Sequence, residues 1–172
     1  MKAHQFIIGL LGLTLTAGSL HAAELSALDA ELSKAWPDNR TINIVFHGHS
    51  VPSGYHRAGE VKPFESYPYL FGQQLKQRYP NAVVNIITTS IGGEHSIDGA
   101  ARFSTDVFAQ QPDLILIDYA INDRSQAIPA VETAWQSMID EAQTAGVPVI
   151  LLTPTGVSGE DLSNPGDPLT ER

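Results

Sequence analysis

Short runs of apolar residues, many of them β-branched, alternate along the chain with longer segments whose apolar residues recur at helical spacing. The short runs predict four buried strands, at Thr41 to Phe46, Ala82 to Thr88, Asp113 to Tyr119 and Val147 to Leu152. The longer segments predict helices, at Ala27 to Trp36, Ser66 to Tyr79, Ser96 to Ala109 and Pro129 to Ala145. Strands that alternate with helices and are apolar along their length indicate a parallel sheet covered on both faces.

This alternation predicts an α/β fold, a three-layer α/β/α sandwich with a flavodoxin-like parallel sheet of strand order 2-1-3-4-5. Residues Thr153 to Arg172 are rich in Gly, Pro, Ser and Asp and are predicted to form a loop. A last strand and helix would be expected after them. We therefore interpret the domain as incomplete at its C-terminus, with the fourth strand as an apolar edge.

The first residues have the pattern of an export signal. Lys2 supplies a positive charge, Phe6 to Leu20 are apolar, and the small residues Ala22 and Ala23 follow. The apolar stretch is short for a bilayer span. Cleavage after one of the two alanines is expected, and an uncleaved membrane anchor is the alternative.

Composition narrows the classes of partner. With 42% hydrophobic and 17% charged residues, the chain of 172 residues has the make-up of one globular domain. Its formal net charge of -9 argues against nucleic acid or an anionic membrane as the main partner. The absence of cysteine excludes a lipoprotein anchor and disulfides.

We expect a signal peptide over residues 1–23, one domain over residues 24–172, and a secreted or periplasmic protein without stable membrane association after cleavage.

Glycines and polar residues follow three of the predicted strands, at the edge where open parallel sheets form their sites. They are Gly48-His49-Ser50, Ile91-Gly92-Gly93-Glu94 and Ala120-Ile121-Asn122-Asp123. A serine at a sharp turn presents its hydroxyl and its own N–H, a glycine exposes a second N–H, and an asparagine amide offers a third donor. Donors aimed at the oxyanion of a tetrahedral intermediate contribute about 3–4 kcal/mol each. The pattern therefore favours acyl transfer.

Three segments resemble blocks of the SGNH/GDSL-type serine hydrolase family of esterases and lipases. The segment VFHGHSVPSGY is similar to the first block, and the resemblance makes Ser50 the nucleophile. In NIITTSIGGEHSIDGAARF, Gly93 matches the oxyanion-hole glycine, and in PDLILIDYAIND, Asn122 matches the oxyanion-hole asparagine. The likeness covers about Thr41 to Thr155. It implies an α/β/α sandwich and ester hydrolysis without a metal or organic cofactor.

The sequence also departs from the family pattern. His49 stands where the first block usually has Asp, and Ala120 stands where the third usually has Gly. The family's Asp-x-x-His segment, which supplies the general base and its orienting partner, has no match, and no histidine follows His95. The general-base His and its Asp that the resemblance implies are therefore not in this chain.

Other polar residues near the predicted site have less specific patterns. His49 and His95 are predicted to contact substrate. His47 and His49 form a His-x-His pair, but no third ligand is suitably spaced for a metal, and we expect no metal site. We expect Asp118 to be a buried, hydrogen-bonded carboxylate and Asp123 to be a helix-capping or loop residue.

The main hypothesis is an exported serine hydrolase that acts on carboxylic esters, small-molecule or glycan, through an acyl-enzyme at Ser50. The alternative is a catalytically inactive remnant or ligand-binding module that lacks the general-base His. A flavodoxin-like nucleotide or flavin binder is disfavoured, because the residues after the first strand are not rich enough in glycine to hold a phosphate.

Overall fold

The computed structural model describes residues 23–57 and 59–154. Residues 23–32 form the first helix, α1. The strands are Thr41–Gly48 (β1), Tyr55–Arg57 (β2), Glu60–Val61 (β3), Val83–Thr88 (β4), Leu114–Asp118 (β5) and Val149–Leu151 (β6). The other α-helices are Tyr67–Arg78 (α2), Ser96–Asp106 (α3), Ala120–Asp123 (α4) and Ile128–Thr144 (α5), with 3₁₀ turns at Pro63–Glu65 and Phe108–Gln110. The predicted signal peptide up to residue 22 and the predicted loop after residue 154 lie outside the described residues.

Four strands form one parallel sheet in the order β4-β1-β5-β6. Counted along the chain, these strands have the order 2-1-3-4, so the predicted flavodoxin-like topology is confirmed for the described part of the chain. Strand β1 is central, and its Ile44 lies opposite Ile86 on one side and Leu114 on the other. The carboxyl end of β1, at Gly48, therefore lies between the ends of β4 and β5.

An apolar layer covers each face of the sheet, as the two-sided apolar strands predict. One layer joins β1 to α1 and α2 through Ile42, Ile44, Phe46, Leu28, Leu32, Tyr67 and Phe71. The other joins β1 and β5 to α3 and α5 through Val45, Ile115, Ile117, Phe103 and Met138. The fold is the α/β/α sandwich expected from the sequence.

The predicted elements differ from the structure by one to three residues at their bounds, and the first helix differs by four. The first helix ends earlier than predicted, because Leu28 and Leu32 lie one turn apart and are buried, whereas Trp36 is 85% exposed. Strand β6 is shorter than predicted, since Pro148 has no N–H to give to the sheet. No helix in the described ranges is both long enough and apolar enough to span a membrane.

The segment between β1 and α2, for which the sequence predicts no strand or helix, contains the antiparallel hairpin of β2 and β3. Its strands are short and carry no long apolar pattern, which explains why the sequence did not indicate them. Gly54 begins the hairpin with φ of 86° and would place a Cβ 2.5 Å from the carbonyl oxygen of Lys62. Only glycine fits this position, and the hairpin is thereby folded back beside the end of β1.

Candidate active site

The chain turns sharply where β1 leaves the sheet. Gly48 lies so close to β5 that a Cβ there would be 2.5 Å from the carbonyl oxygen of Asp118. The next N–H, from His49, donates to that same carbonyl at 3.2 Å, and the Tyr55 N–H donates to the carbonyl of Ser50 at 3.2 Å. Ser50 is half-buried in this turn. Its hydroxyl makes no hydrogen bond to any residue that the structure describes.

The loop after β4 brings Gly93 to the same edge of the sheet. The loop is tied to β1 by the hydrogen bond from the Ile91 N–H to the carbonyl of Gly48, at 3.0 Å. Gly93 has φ of 81°, and open space surrounds the position that a Cβ would take. Within residues 23–57 and 59–154, the N–H groups of Ser50 and Gly93 make no backbone hydrogen bond. Two backbone donors are thus available to a ligand.

The third predicted donor is attached to the second loop. Asn122 lies in α4, directly after β5, and its Nδ2 donates to the carbonyl of Glu94 at 2.8 Å. An amide nitrogen carries two hydrogens, so one remains for a ligand. The structure therefore brings the loops of Ser50, Gly93 and Asn122 together through direct hydrogen bonds, as the strand order predicts. Their roles as nucleophile and oxyanion donors stay predictions.

His49 lies beneath the Ser50 turn. Its side chain is 1% exposed, and its Nδ1 accepts a hydrogen bond from the Val51 N–H at 3.2 Å. Its Nε2 lies 3.2 Å from Oδ1 of Asp118, and the Tyr67 hydroxyl donates to Oδ2 of that carboxylate at 2.9 Å. Burial, together with the neighbouring Asp118, raises the pKa of Tyr67, so its hydroxyl keeps the proton it donates. Asp118 is the buried, hydrogen-bonded carboxylate that the sequence predicts. The substrate contact predicted for His49 stays a prediction, and the burial of the side chain does not support it.

His47 lies on the face of the sheet opposite to His49. It belongs to a group of polar side chains that we call the His47 cluster: His47, Glu94, Arg102 and Tyr119. The ring of His47 has Nδ1 2.8 Å from the Thr89 hydroxyl, and Nε2 3.1 Å from the carbonyl of Gly99 and from the Tyr119 hydroxyl. Burial, helped by Arg102, lowers the pKa of His47 to about 4. The ring is therefore neutral at neutral pH.

The cluster ends in a buried ion pair that sequence reasoning missed. The Tyr119 hydroxyl donates to Oε2 of Glu94 at 2.7 Å, and Arg102 donates to both oxygens of the Glu94 carboxylate, at 2.7 Å for Oε1. Arg102 also binds the Asp106 carboxylate at 2.9 Å. The one sequence signal is the spacing of Arg102 and Asp106, one helical turn apart, and it does not point to Glu94. No group of three metal-binding side chains occurs in the described ranges.

Two side chains form the exposed rim of the candidate site. Tyr55 is 53% exposed, and its ring packs over Gly92, where a Cβ would lie 3.0 Å from the ring. His95 precedes α3, is partly exposed, and has Nδ1 3.2 Å from Oδ2 of Asp98. The substrate contact predicted for His95 stays a prediction. Tyr55 was missed because it lies in the hairpin that the sequence did not indicate.

Asp123 has the capping role that the sequence predicts. It is fully buried, and its Oδ1 accepts a hydrogen bond from the N–H of Ser96, the first residue of α3, at 2.8 Å. Its Oδ2 accepts from Nε1 of Trp135 on α5 at 2.7 Å. Asp123 thus joins α3, α4 and α5 next to Asn122.

Comparisons with known proteins identify the family and support the fold. The model of the GDSL-like Lipase/Acylhydrolase family matches residues 46–172. A two-domain esterase (CEX) active on acetylated mannans is 25% identical, with a TM-score of 0.64 over 74% of this chain and 33% of that one. The lipase/acylhydrolase from Enterococcus faecalis is 25% identical, with a TM-score of 0.60 over 76% of this chain and 66% of that one.

A mutant acetyl-xylooligosaccharide esterase from Geobacillus Stearmophilus is 27% identical, with a TM-score of 0.58 over 76% of this chain and 65% of that one. A search of curated proteins gave no match. The chain spans a third of the length of the mannan esterase and about two thirds of the other two proteins. The family model covers most of the chain and includes Ser50, Gly93 and Asn122, so the chain belongs to the GDSL-like lipase/acylhydrolase family.

Proposed function

We propose that this protein is an exported carboxylic ester hydrolase that forms an acyl-enzyme at Ser50. The observation that carries this proposal is the meeting of three loops at one edge of the sheet. Together they offer the Ser50 hydroxyl, the N–H groups of Ser50 and Gly93, and one hydrogen of the Asn122 amide. Preorganised donors of this kind stabilise the oxyanion of a tetrahedral intermediate.

In the proposed reaction, Ser50 Oγ forms a bond to the acyl carbon and the ester's bond to its alcohol oxygen breaks. The alcohol leaves with a proton, and water then releases the acid from Ser50. The Ser50 hydroxyl must give its proton to a base, which the family resemblance assigns to a histidine of a segment that this sequence does not contain. With the oxyanion donors alone, we expect turnover to fall by orders of magnitude but to stay above the rate in water.

We further infer that the ester is an acylated glycan. The exposed ring of Tyr55 beside Gly92 offers a flat apolar surface at the rim, suited to the apolar face of a sugar ring. Two of the structural neighbours are described as esterases for acetylated mannans and for acetyl-xylooligosaccharides. The proposed export, which rests on the pattern of residues 1–23, would bring the protein to such polymers.

The test is covalent labelling of Ser50. The protein is treated with a fluorophosphonate probe, and hydrolysis of p-nitrophenyl acetate is measured in parallel. We expect slow labelling of the peptide that contains Ser50 and slow turnover that still exceeds the rate in water, and we expect Ser50→Ala to lose both. Ser53→Ala is the matched control, because Ser53 lies in the same turn and its hydroxyl donates to the carbonyl of Ser90. Equal labelling and turnover in wild type and Ser50→Ala would contradict the proposal.

A ligand-binding module is the second candidate function. Its support is that no histidine in the described ranges hydrogen bonds to the Ser50 hydroxyl. This function predicts that acetylated xylo-oligosaccharides bind in calorimetry equally well to wild type and Ser50→Ala, and that neither protein releases acetate.

A further inference from the structure

The proposed reaction gives no role to the imidazole of His49, although its Nδ1 bonds to the N–H of Val51, the residue that follows Ser50. We propose that His49, oriented by Asp118, is a positioning residue that holds the backbone of the Ser50 turn. The consequence for Ser50 reactivity rests on the proposed function, whereas the geometry of the turn does not.

The bond between His49 and Val51 closes a short ring of atoms around Ser50. The Val51 N–H donates to Nδ1 of a side chain two residues earlier, at 3.2 Å. His49 also anchors its own N–H to the carbonyl of Asp118. Because the imidazole of His49 is 1% exposed, water has little access to replace it as the acceptor of the Val51 N–H. Ser50 is therefore held from both sides by groups that belong to one residue.

This arrangement requires one protonation state of the ring. Nδ1 can accept the Val51 N–H only if it carries no proton, and a neutral ring then carries its proton on Nε2. In the described residues, the buried Nε2 has no partner in hydrogen-bond geometry, and it lies 3.2 Å from Oδ1 of Asp118. A buried donor next to a carboxylate is stabilised by its charge. Asp118 is thus the group that selects the proton position, and Tyr67 holds its other oxygen.

Residues 49 and 118 consequently depend on each other. An aspartate at position 49 could accept the Val51 N–H, but it would bring a second carboxylate close to Asp118. Two buried carboxylates at such a distance cannot both stay ionised. An asparagine at position 49 would supply an acceptor without the charge.

The first experiment examines the turn by nuclear magnetic resonance of the full 172-residue chain. We expect the ¹⁵N signals of the His49 ring to show an unprotonated Nδ1 and a protonated Nε2 at neutral pH. Hydrogen exchange of the Val51 amide should become about tenfold faster in His49→Ala and remain near the wild-type rate in His49→Asn, while exchange of Ile115 is unchanged in both. A proton on Nδ1, or unchanged Val51 exchange in His49→Ala, would overturn the proposal.

The second experiment tests the dependence on charge. We compare His49→Asp, Asp118→Asn and the double variant by the rate of Ser50 labelling with the fluorophosphonate and by the Tm. His49→Asp should be labelled most slowly, and adding Asp118→Asn should raise its labelling rate about tenfold, to that of Asp118→Asn alone. Equal rates for His49→Asp and the double variant, at equal Tm, would overturn the proposal.

The two proposals fail in different ways. If the wild-type protein is not labelled at Ser50, the proposed function fails, and the ring ¹⁵N signals and Val51 exchange still decide the role of His49. If Ser50 is labelled and hydrogen exchange of the Val51 amide is unchanged in His49→Ala, only the positioning role fails.

Discussion

His47 and His49 are two residues apart, both are buried, and they belong to different environments. His47 lies inside β1, faces α3, and has partners for both ring nitrogens: the Thr89 hydroxyl at Nδ1, and the Gly99 carbonyl and Tyr119 hydroxyl at Nε2. His49 lies past the end of β1 and contacts Asp118, whose carboxylate is held by Tyr67 of α2 on the other side of the sheet. Regular strand alternation would put both rings on one face. The chain leaves the sheet at Gly48, and the two rings therefore face opposite sides.

The comparison separates two uses of a buried histidine. The His47 cluster contains a carboxylate and a guanidinium that neutralise each other, so we expect changes to these two side chains to appear mainly in stability. His49 touches the backbone that carries Ser50, so we expect its changes to appear mainly in Ser50 reactivity. Variants in the two regions test whether this division between stability and Ser50 reactivity holds.

The largest effect is expected from Arg102→Ala. The variant leaves the Glu94 carboxylate, whose side chain is 8% exposed, without its cation. The free energy of unfolding should fall by about 3–5 kcal/mol, the usual cost of an uncompensated buried charge, measured by urea denaturation. Asp106→Asn is the matched control, because Asp106 binds the same arginine but is 41% exposed, and it should cost less than about 1 kcal/mol. Similar losses in the two variants would show that the ion pair is not the anchor of the cluster.

Acid should destabilise the protein through His47. Its pKa is about 4 in the folded protein and 6.5 in a free side chain, so below pH 6.5 the unfolded chain takes up a proton that the folded protein excludes. We expect this group to remove about 3 kcal/mol of stability as the pH falls through that interval. The loss should be absent above it.

The measurement is the free energy of unfolding as a function of pH, for wild type and for His47→Gln. The glutamine variant is expected to be less stable at neutral pH but to lose less stability between neutral and acid pH. Parallel pH curves for the two proteins would refute the assignment to His47.

A smaller difference is expected between two tyrosine hydroxyls, one from each environment. Tyr119→Phe removes contacts to Glu94, His47 and Arg102 and should cost about 1–3 kcal/mol, because polar groups in the core lose a partner. Tyr67→Phe removes one contact, to Asp118, and should cost about 1 kcal/mol. Thermal denaturation gives both values. The division fails if Tyr67→Phe is the more damaging variant.

The sheet and the meeting of the three loops could be predicted from the sequence. Apolar β-branched runs separated by helical segments leave few arrangements, and parallel strands bring their carboxyl ends to one edge. Ser50, Gly93 and Asn122 therefore had to lie near one another once their strands were adjacent. The sequence allowed a capping role for Asp123 but not its target, because the helix that it caps begins at Ser96, 27 residues earlier.

The partners of the buried polar groups could not be predicted. Regular alternation along β1 would place the ring of His49 on the same face as that of His47, which is wrong. The chain leaves the sheet at Gly48, and a single glycine in the sequence does not predict that turn. Glu94 and Arg102 are eight residues apart, across the junction of a loop and a helix, and no spacing rule joins them. Tyr55 reaches Gly92 through a short hairpin whose strands are set by contacts rather than by sequence pattern.

Glu94 has a consequence for anyone who redesigns this site. Its carboxylate is part of the core ion pair, and its carbonyl accepts a part-buried hydrogen bond from the Asn122 amide. One residue therefore transmits the geometry of the interior to the loop that carries Gly93. Redesign of the proposed ester site should keep Glu94 and Arg102 together and vary the rim instead, starting with Tyr55, whose ring is open to solvent.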